Sequence, residues 1–154
     1  MQSYPKGLPL EEFLTYRVNV LSNLLNRRSE RFLRRNYGIS IPDWRVLVLL
    51  ANHGPMFVRD LAGMSRTDKA QVSRVVNRLA ALGLVNSEAD PYDARLVEVS
   101  ITKVGMDLFN NILPKAIVRQ SALLAVLEPD EWQVLDRVLE KLTEFAEEEG
   151  GASF

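Results

Sequence analysis

The chain of 154 residues contains no cysteine and a single histidine. The first absence excludes disulfides, thiolate metal sites and redox sensing through a thiol. The second excludes a multi-histidine metal site within one chain. There is no Ser-His-Asp arrangement, no carboxylate pair at helical spacing beside His53, no glycine-rich phosphate loop and no cluster with metal-ligand spacing. An enzyme is therefore not expected, and no cofactor or metal is required. Long apolar runs are missing too, since the longest, Val46 to Ala51, is far too short to span a bilayer. The opening MQSYPKGLPL lacks a basic stretch followed by an apolar one. No signal peptide and no membrane attachment are expected, which leaves the cytoplasm as the expected location.

The formal net charge of −1 argues against a simple polybasic binder, yet the charge is unevenly spread. Five arginines and one glutamate lie between Arg27 and Arg35, whereas nine acidic residues face two basic ones between Glu128 and Glu149. Such asymmetry fits one end aimed at a polyanion and the other turned away; solvated helix faces produce it as well. With 47% hydrophobic residues the chain can build one compact domain with a core of its own.

The most informative stretch runs from Ser65 to Gly83, SRTDKAQVSRVVNRLAALG. Val72, Val75, Val76 and Leu79 recur at i, i+3, i+4 and i+7, the spacing of a buried helical stripe. Thr67, Gln71, Ser73, Arg74, Asn77 and Arg78 fall on the other side. These types bind phosphates and base edges: Arg pairs with guanine, Gln or Asn with adenine, Ser or Thr with either. Thr67 or Asp68 can cap the start, and Gly83 can stop the end.

Before this stretch, residues 1–9 read as an arm carrying Pro5, Gly7 and Pro9. Helical spacing then runs from Leu10 to about Arg35, with apolar residues on more than one narrow stripe, as suits packing against a partner chain. Ser40-Ile41-Pro42-Asp43 opens a second helix whose buried side holds Trp44, Leu47, Val48, Leu50 and Ala51. His53 ends it, either as a ligand or pH-sensing group or, more simply, as a C-terminal capping residue. Phe57 to Met64 reads as a short helix, followed by a tight break. Short helix, turn and a second helix with a polar outer face form the helix-turn-helix plan.

After Gly83, residues 84–89 and 96–101 read as two strands around the turn Asp90 to Arg95, and the second alternates inward Val97, Val99 and Ile101 with outward Glu98 and Ser100. A hairpin in this position is a wing, whose tip reaches the neighbouring minor groove. Asp93 either orients Arg95 or forms an ordinary turn salt bridge with it. Thr102 caps a long helix to about Leu127, where Pro114 should kink or split the chain. A last helix starts at Pro129 and repeats Trp132, Leu135, Val138, Leu139, Leu142 and Phe145. The fold class expected is mainly α with a small β-hairpin wing. The parts are an arm and long helix over 1–35, a winged helix-turn-helix over 36–102 and further helices with an acidic tail over 103–154, all in one compact domain.

The passages SIPDWRVLVLLANHGP, DLAGMSRTDKAQVSRVVNRLAALGLV and DPYDARLVEVSITKVG resemble the MarR family of winged helix-turn-helix regulators. The likeness covers about two thirds of the chain without a gap. It implies that the outer parts, 1–35 and 103–154, carry dimerisation helices, and that the homodimer presents two recognition helices to adjacent major grooves of double-stranded DNA. It also implies contacts from Thr67, Asp68, Lys69, Gln71, Ser73, Arg74, Asn77, Arg78, Asp93 and Arg95, on a pseudo-palindromic operator with half-sites roughly 10 base pairs apart. Family members bind small, often aromatic and anionic effectors, so the resemblance implies a repressor released by such a ligand. In this chain Arg17 would meet a carboxylate or instead form a dimer salt bridge. Tyr16 and Trp44 would stack on the ligand, or Trp44 would sit in the core, with His53 nearby. Ser87, Glu88 and Ala94 stand where relatives place basic residues, so the wing is expected to contribute less to phosphate binding. A winged-helix module for protein–protein contact, with no DNA bound, is the alternative.

Overall fold

The computed structural model describes residues 7, 9–93 and 96–149. A 3-10 turn at Leu10–Glu12 precedes helix α1, Leu14–Tyr37. The sequence pattern reads as one helix from Leu10, but extended backbone at Phe13 separates the two. Over three residues a repeat of 3.0 and one of 3.6 cannot be told apart. Gly38 stops α1 with φ 70°, a left-handed conformation that a side chain disfavours.

Helix α2 spans Ile41–His53 behind a reciprocal capping box. The Ser40 side chain accepts from the Asp43 backbone N–H, and the Asp43 carboxylate accepts from the Ser40 backbone N–H. Strand β1, Met56–Phe57, follows, then helix α3, Val58–Ser65, and helix α4, Lys69–Ala81. Phe57, expected in the short helix, belongs instead to β1 and precedes α3 as its N-cap. Strands β2, Val85–Ala89, and β3, Val97–Ile101, complete an antiparallel sheet in the order β1-β3-β2. The register pairs Met56 with Val99 on one side of β3 and Val85 with Ile101 on the other.

Leu47 and Leu50 of α2, Leu61 of α3, Val76 and Leu79 of α4 and Val99 of β3 are all fully buried, so three helices and the sheet share one core. Helix α5, Lys103–Leu124, starts close to it. The Thr102 hydroxyl accepts from the Gly105 N–H at 3.0 Å and donates to the Gly83 carbonyl at 2.7 Å, joining the α5 cap to the end of α4. Gly105 lies so near that a Cβ there would collide with the Leu84 carbonyl oxygen and press on the Ile101 side chain. The helix continues through Pro114 without splitting and ends at Leu124, short of the expected Leu127.

The chain divides into two compact units, Met1–Phe109 and Asn110–Phe154, with the division inside α5. Helix α6, Pro129–Glu149, belongs to the second. The Glu131 carboxylate accepts from the Glu128 N–H, and Asp130 and Glu131 favour the positive end of the helix dipole. Its apolar series, Trp132, Leu135, Val138, Leu139, Leu142 and Phe145, is exposed. Among the described residues, no helix is long and apolar enough to cross a membrane.

Candidate nucleic-acid interface

Helix α4 takes its shape from local chemistry. The Asp68 carboxylate accepts from the Gln71 N–H at 3.1 Å and so caps the first turn. Of the two candidate caps, Asp68 fills the position. The Thr67 hydroxyl instead donates to the Ser65 carbonyl at 3.0 Å and stiffens the turn after α3. Arg66 occupies that turn in the left-handed region at φ 48°, which lets its N–H and that of Thr67 return to the α3 carbonyls of Gly63 and Ala62. Short α3, this turn and α4 make the helix-turn-helix.

Val72, Val75, Val76 and Leu79 are all buried, which fixes the rotation of α4 about its axis. Lys69, Gln71, Arg74 and Asn77 consequently face solvent. Ser73 is half-buried and donates to the Lys69 carbonyl at 3.0 Å, leaving its oxygen lone pairs to accept.

Arg78 has a different setting. Its Nε donates to Asp43 Oδ1 and Oδ2 at 2.9 and 3.2 Å, and Nη2 donates to Asp43 Oδ1 and to the Ser40 hydroxyl. Asp43 is 1% exposed, whereas about half of the Arg78 side chain reaches solvent. The same carboxylate also accepts from the Ser40 N–H and hydroxyl at 2.7 and 2.6 Å. Beside it, Glu30 of α1 accepts from the Ile41 N–H at 2.7 Å and pairs with Arg34. A continuous run of polar groups thus ties α4 to the start of α2 and on to α1. Arg78, read from the sequence as a DNA contact, spends most of its guanidinium fork on this network.

In the wing, Asp90 Oδ1 accepts from the Tyr92 and Asp93 backbone N–H groups at 2.8 and 3.0 Å, an Asx turn. The Asp93 carbonyl accepts from Leu96 N–H at 2.8 Å. Arg95 lies outside the described residues. Glu88 of β2 stands directly opposite Glu98 of β3, and both are exposed. Two carboxylates on one face of the hairpin repel each other and any phosphate near them.

The expected effector residues are spread out. Tyr16 and Arg17 are exposed on the first turn of α1. Trp44 stacks on Phe109, with ring centroids 5.5 Å apart and planes at 21°. His53 is exposed at the far end of α2, roughly 13 Å of helix rise from Trp44. An open cleft of about 970 Å³ in the first unit is walled instead by the second half of α1, the start of α2 and the outer face of α4. Gln71, Arg74 and Arg78 line it; Tyr16, Arg17, Trp44 and His53 do not. Arg27, Arg31 and Arg45 in these walls are not among the residues expected from sequence, although the arginine run from Arg27 to Arg35 is a visible signal. No group of His, Asp or Glu among the described residues is placed to hold a metal.

Comparison with known proteins agrees with this geometry. Residues 37–96 match the sequence model of the MarR family. The transcriptional repressor IacR of Pseudomonas putida is 27% identical over 96 residues, spanning 62% of this chain and 57% of its own. A MarR/EmrR family regulator from Acinetobacter sp. ADP1 superposes with a TM-score of 0.82 at 26% identity, covering 92% of this chain and 99% of that one. BpsR of Bordetella bronchiseptica, whose DNA binding is regulated by 6-hydroxynicotinic acid, shares the fold with a TM-score of 0.78 at 22% identity, over 88% of this chain and 96% of its own. With a helix-turn-helix, a hairpin wing and flanking helices in this order, and a MarR family match over residues 37–96, the chain carries a winged-helix region of the MarR type found in transcriptional regulators.

Proposed function

We propose that the protein works as a homodimer that binds a pseudo-palindromic operator and represses transcription until a small aromatic or acidic ligand releases it. The observation that carries this reading is the division of α4 into two faces. Four buried apolar residues anchor one, and Lys69, Gln71, Arg74 and Asn77 stand in solvent on the other. With α4 in the major groove, Arg74 pairs with guanine and Gln71 or Asn77 with adenine. Lys69 and Ser73 meet phosphates. The cap at Asp68 and the turn at Thr67 set the angle of entry, and Asp93 and Arg95 place the wing tip beside the minor groove.

Dimerisation is supported by apolar surface that a lone chain leaves in water. Leu14, Val18, Leu21 and Leu24 of α1 are exposed, as is the whole apolar series of α6. Burying such stripes against a second copy stabilises the pair by roughly 25 cal/mol per Å² of apolar surface removed from water. Two recognition helices then stand roughly one helical turn of DNA apart. The likeness to BpsR supports an aromatic acid as effector. The exposed Arg17, with Tyr16 beside it on α1, is the carboxylate partner, whereas Trp44 against Phe109 and His53 at the far end of α2 stand apart from them. Such a ligand acts only by binding one spacing of the recognition helices more tightly than the other.

Selection of duplexes from a random pool, followed by electrophoretic mobility, tests the reading. Arg74→Ala is expected to weaken binding to the selected site by about 1–3 kcal/mol and to relax the preference at one base pair. An Arg74→Ala protein that binds the site as the parent does would remove α4 from the role of reader.

A further inference from the structure

Six arginines from three helices converge on the open cleft: Arg27, Arg31 and Arg34 of α1, Arg45 of α2, and Arg74 and Arg78 of α4. Two are already paired, Arg34 with Glu30 and Arg78 with Asp43. Arg27, Arg31, Arg45 and Arg74 are exposed and form no ion pair among the described residues. Four unpaired guanidinium groups around one cleft repel each other, in a chain whose net charge is −1. Glu30 also lines the cleft but is paired with Arg34, so the wall is positive on balance and focuses its field on whatever anion enters.

The position of the cleft selects the anion. Its α4 wall, Gln71 and Arg74, is part of the face assigned above to the bases. A helix seated in a major groove about 12 Å wide has a phosphate ridge along each flank. Arg27, Arg31 and Arg45 stand together on one such flank. Arginine matches a phosphate with two parallel N–H donors, which lysine cannot do. We propose that this cleft grips the sugar–phosphate backbone beside the recognition helix, so that α1 and α2 supply phosphate contacts outside the helix-turn-helix. The inference rests on the DNA-binding reading above. It also gives the acidic wing a counterpart: the positive charge that Glu88 and Glu98 withhold is supplied by α1 and α2.

The test uses the full-length protein, a duplex it has selected itself, and binding measured by fluorescence anisotropy between about 50 and 200 mM salt. In Arg27→Gln/Arg31→Gln/Arg45→Gln, the slope of log K against log salt is expected to become shallower by about 0.9 for each phosphate no longer neutralised. Base preference stays that of the parent, because phosphate contacts carry no sequence information. The corresponding triple Lys variant, which keeps the charge, retains most of the slope. Circular dichroism checks folding; should the triple Gln variant unfold, each single Gln variant carries the same test with a change of about 0.9. A Gln variant with the slope of the parent overturns the proposal, as does a Lys variant whose slope falls as far as that of the Gln one. If inorganic phosphate raises the melting temperature of the parent and not of the Gln variant while their slopes coincide, the cleft holds a free anion and the proposal falls. A parent that selects no duplex at all instead overturns the DNA-binding reading, and this inference with it.

Discussion

Replacing Arg78 with alanine is expected to destabilise the protein by about 2–4 kcal/mol, whereas Arg74→Ala, one turn earlier on the same helix, stays within about 0.5 kcal/mol of the parent. The difference follows from what each side chain leaves behind. Asp43 is 1% exposed and, without Arg78, keeps only the two donors of Ser40. Stranding a fully buried charge costs about 3–5 kcal/mol. Here the expected cost is about 1 kcal/mol below that range, because the Ser40 donors remain and the Arg78 side chain is 49% exposed. Urea denaturation at one fixed protein concentration measures it, since the midpoint of a dimer depends on concentration. Asp43→Ala and the double variant close a thermodynamic cycle, with an expected coupling of about 1–3 kcal/mol between the two sites. If Arg78→Ala proves as stable as Arg74→Ala and weakens operator binding just as selectively, the network through Asp43 contributes nothing and Arg78 is a second reader of bases.

Gly105→Ala should cost about 1–3 kcal/mol in urea, because the added methyl meets the Leu84 carbonyl and the Ile101 side chain; an unchanged midpoint would mean that the start of α5 yields freely. The parent should sediment as a dimer, and Leu139→Glu/Leu142→Glu, which sets carboxylates in the exposed apolar series of α6, should sediment as a monomer. A parent that is monomeric at all concentrations would count against the paired recognition helices. An aromatic carboxylate that acts as effector should raise stability by about 2.7 kcal/mol at 100 times its Kd, and Arg17→Ala should abolish the thermal shift. A shift that survives Arg17→Ala would place the carboxylate elsewhere.

Most of the helical plan is legible in the sequence because helices report themselves locally. The Ser40 cap with Asp43 three residues on, the stop at Gly38 and the stripe from Val72 to Leu79 each lie within a few residues of chain. The alternation of Val97, Val99 and Ile101 likewise announces a strand with one face inward. Beyond that reach the signal fades. Strand β1 is two residues long and exists only because β3, some forty residues later, supplies its partner. The 3-10 turn before α1 is too short for its period to show.

The polar side of α4 marks the boundary between what each level decides. From sequence alone Arg74 and Arg78 look alike, four residues apart on one amphipathic helix. Composition and period settle that the helix forms and that its valines turn inward. Tertiary structure decides that Arg78 meets Asp43, a residue thirty-five positions earlier, and that Arg74 remains in water. It also gathers arginines of three separate helices around one cleft. Hydrophobic burial repeats at the period of a helix and leaves its trace in the order of residues. Charge pairing acts between groups that meet only after the chain has folded, so no local pattern records it.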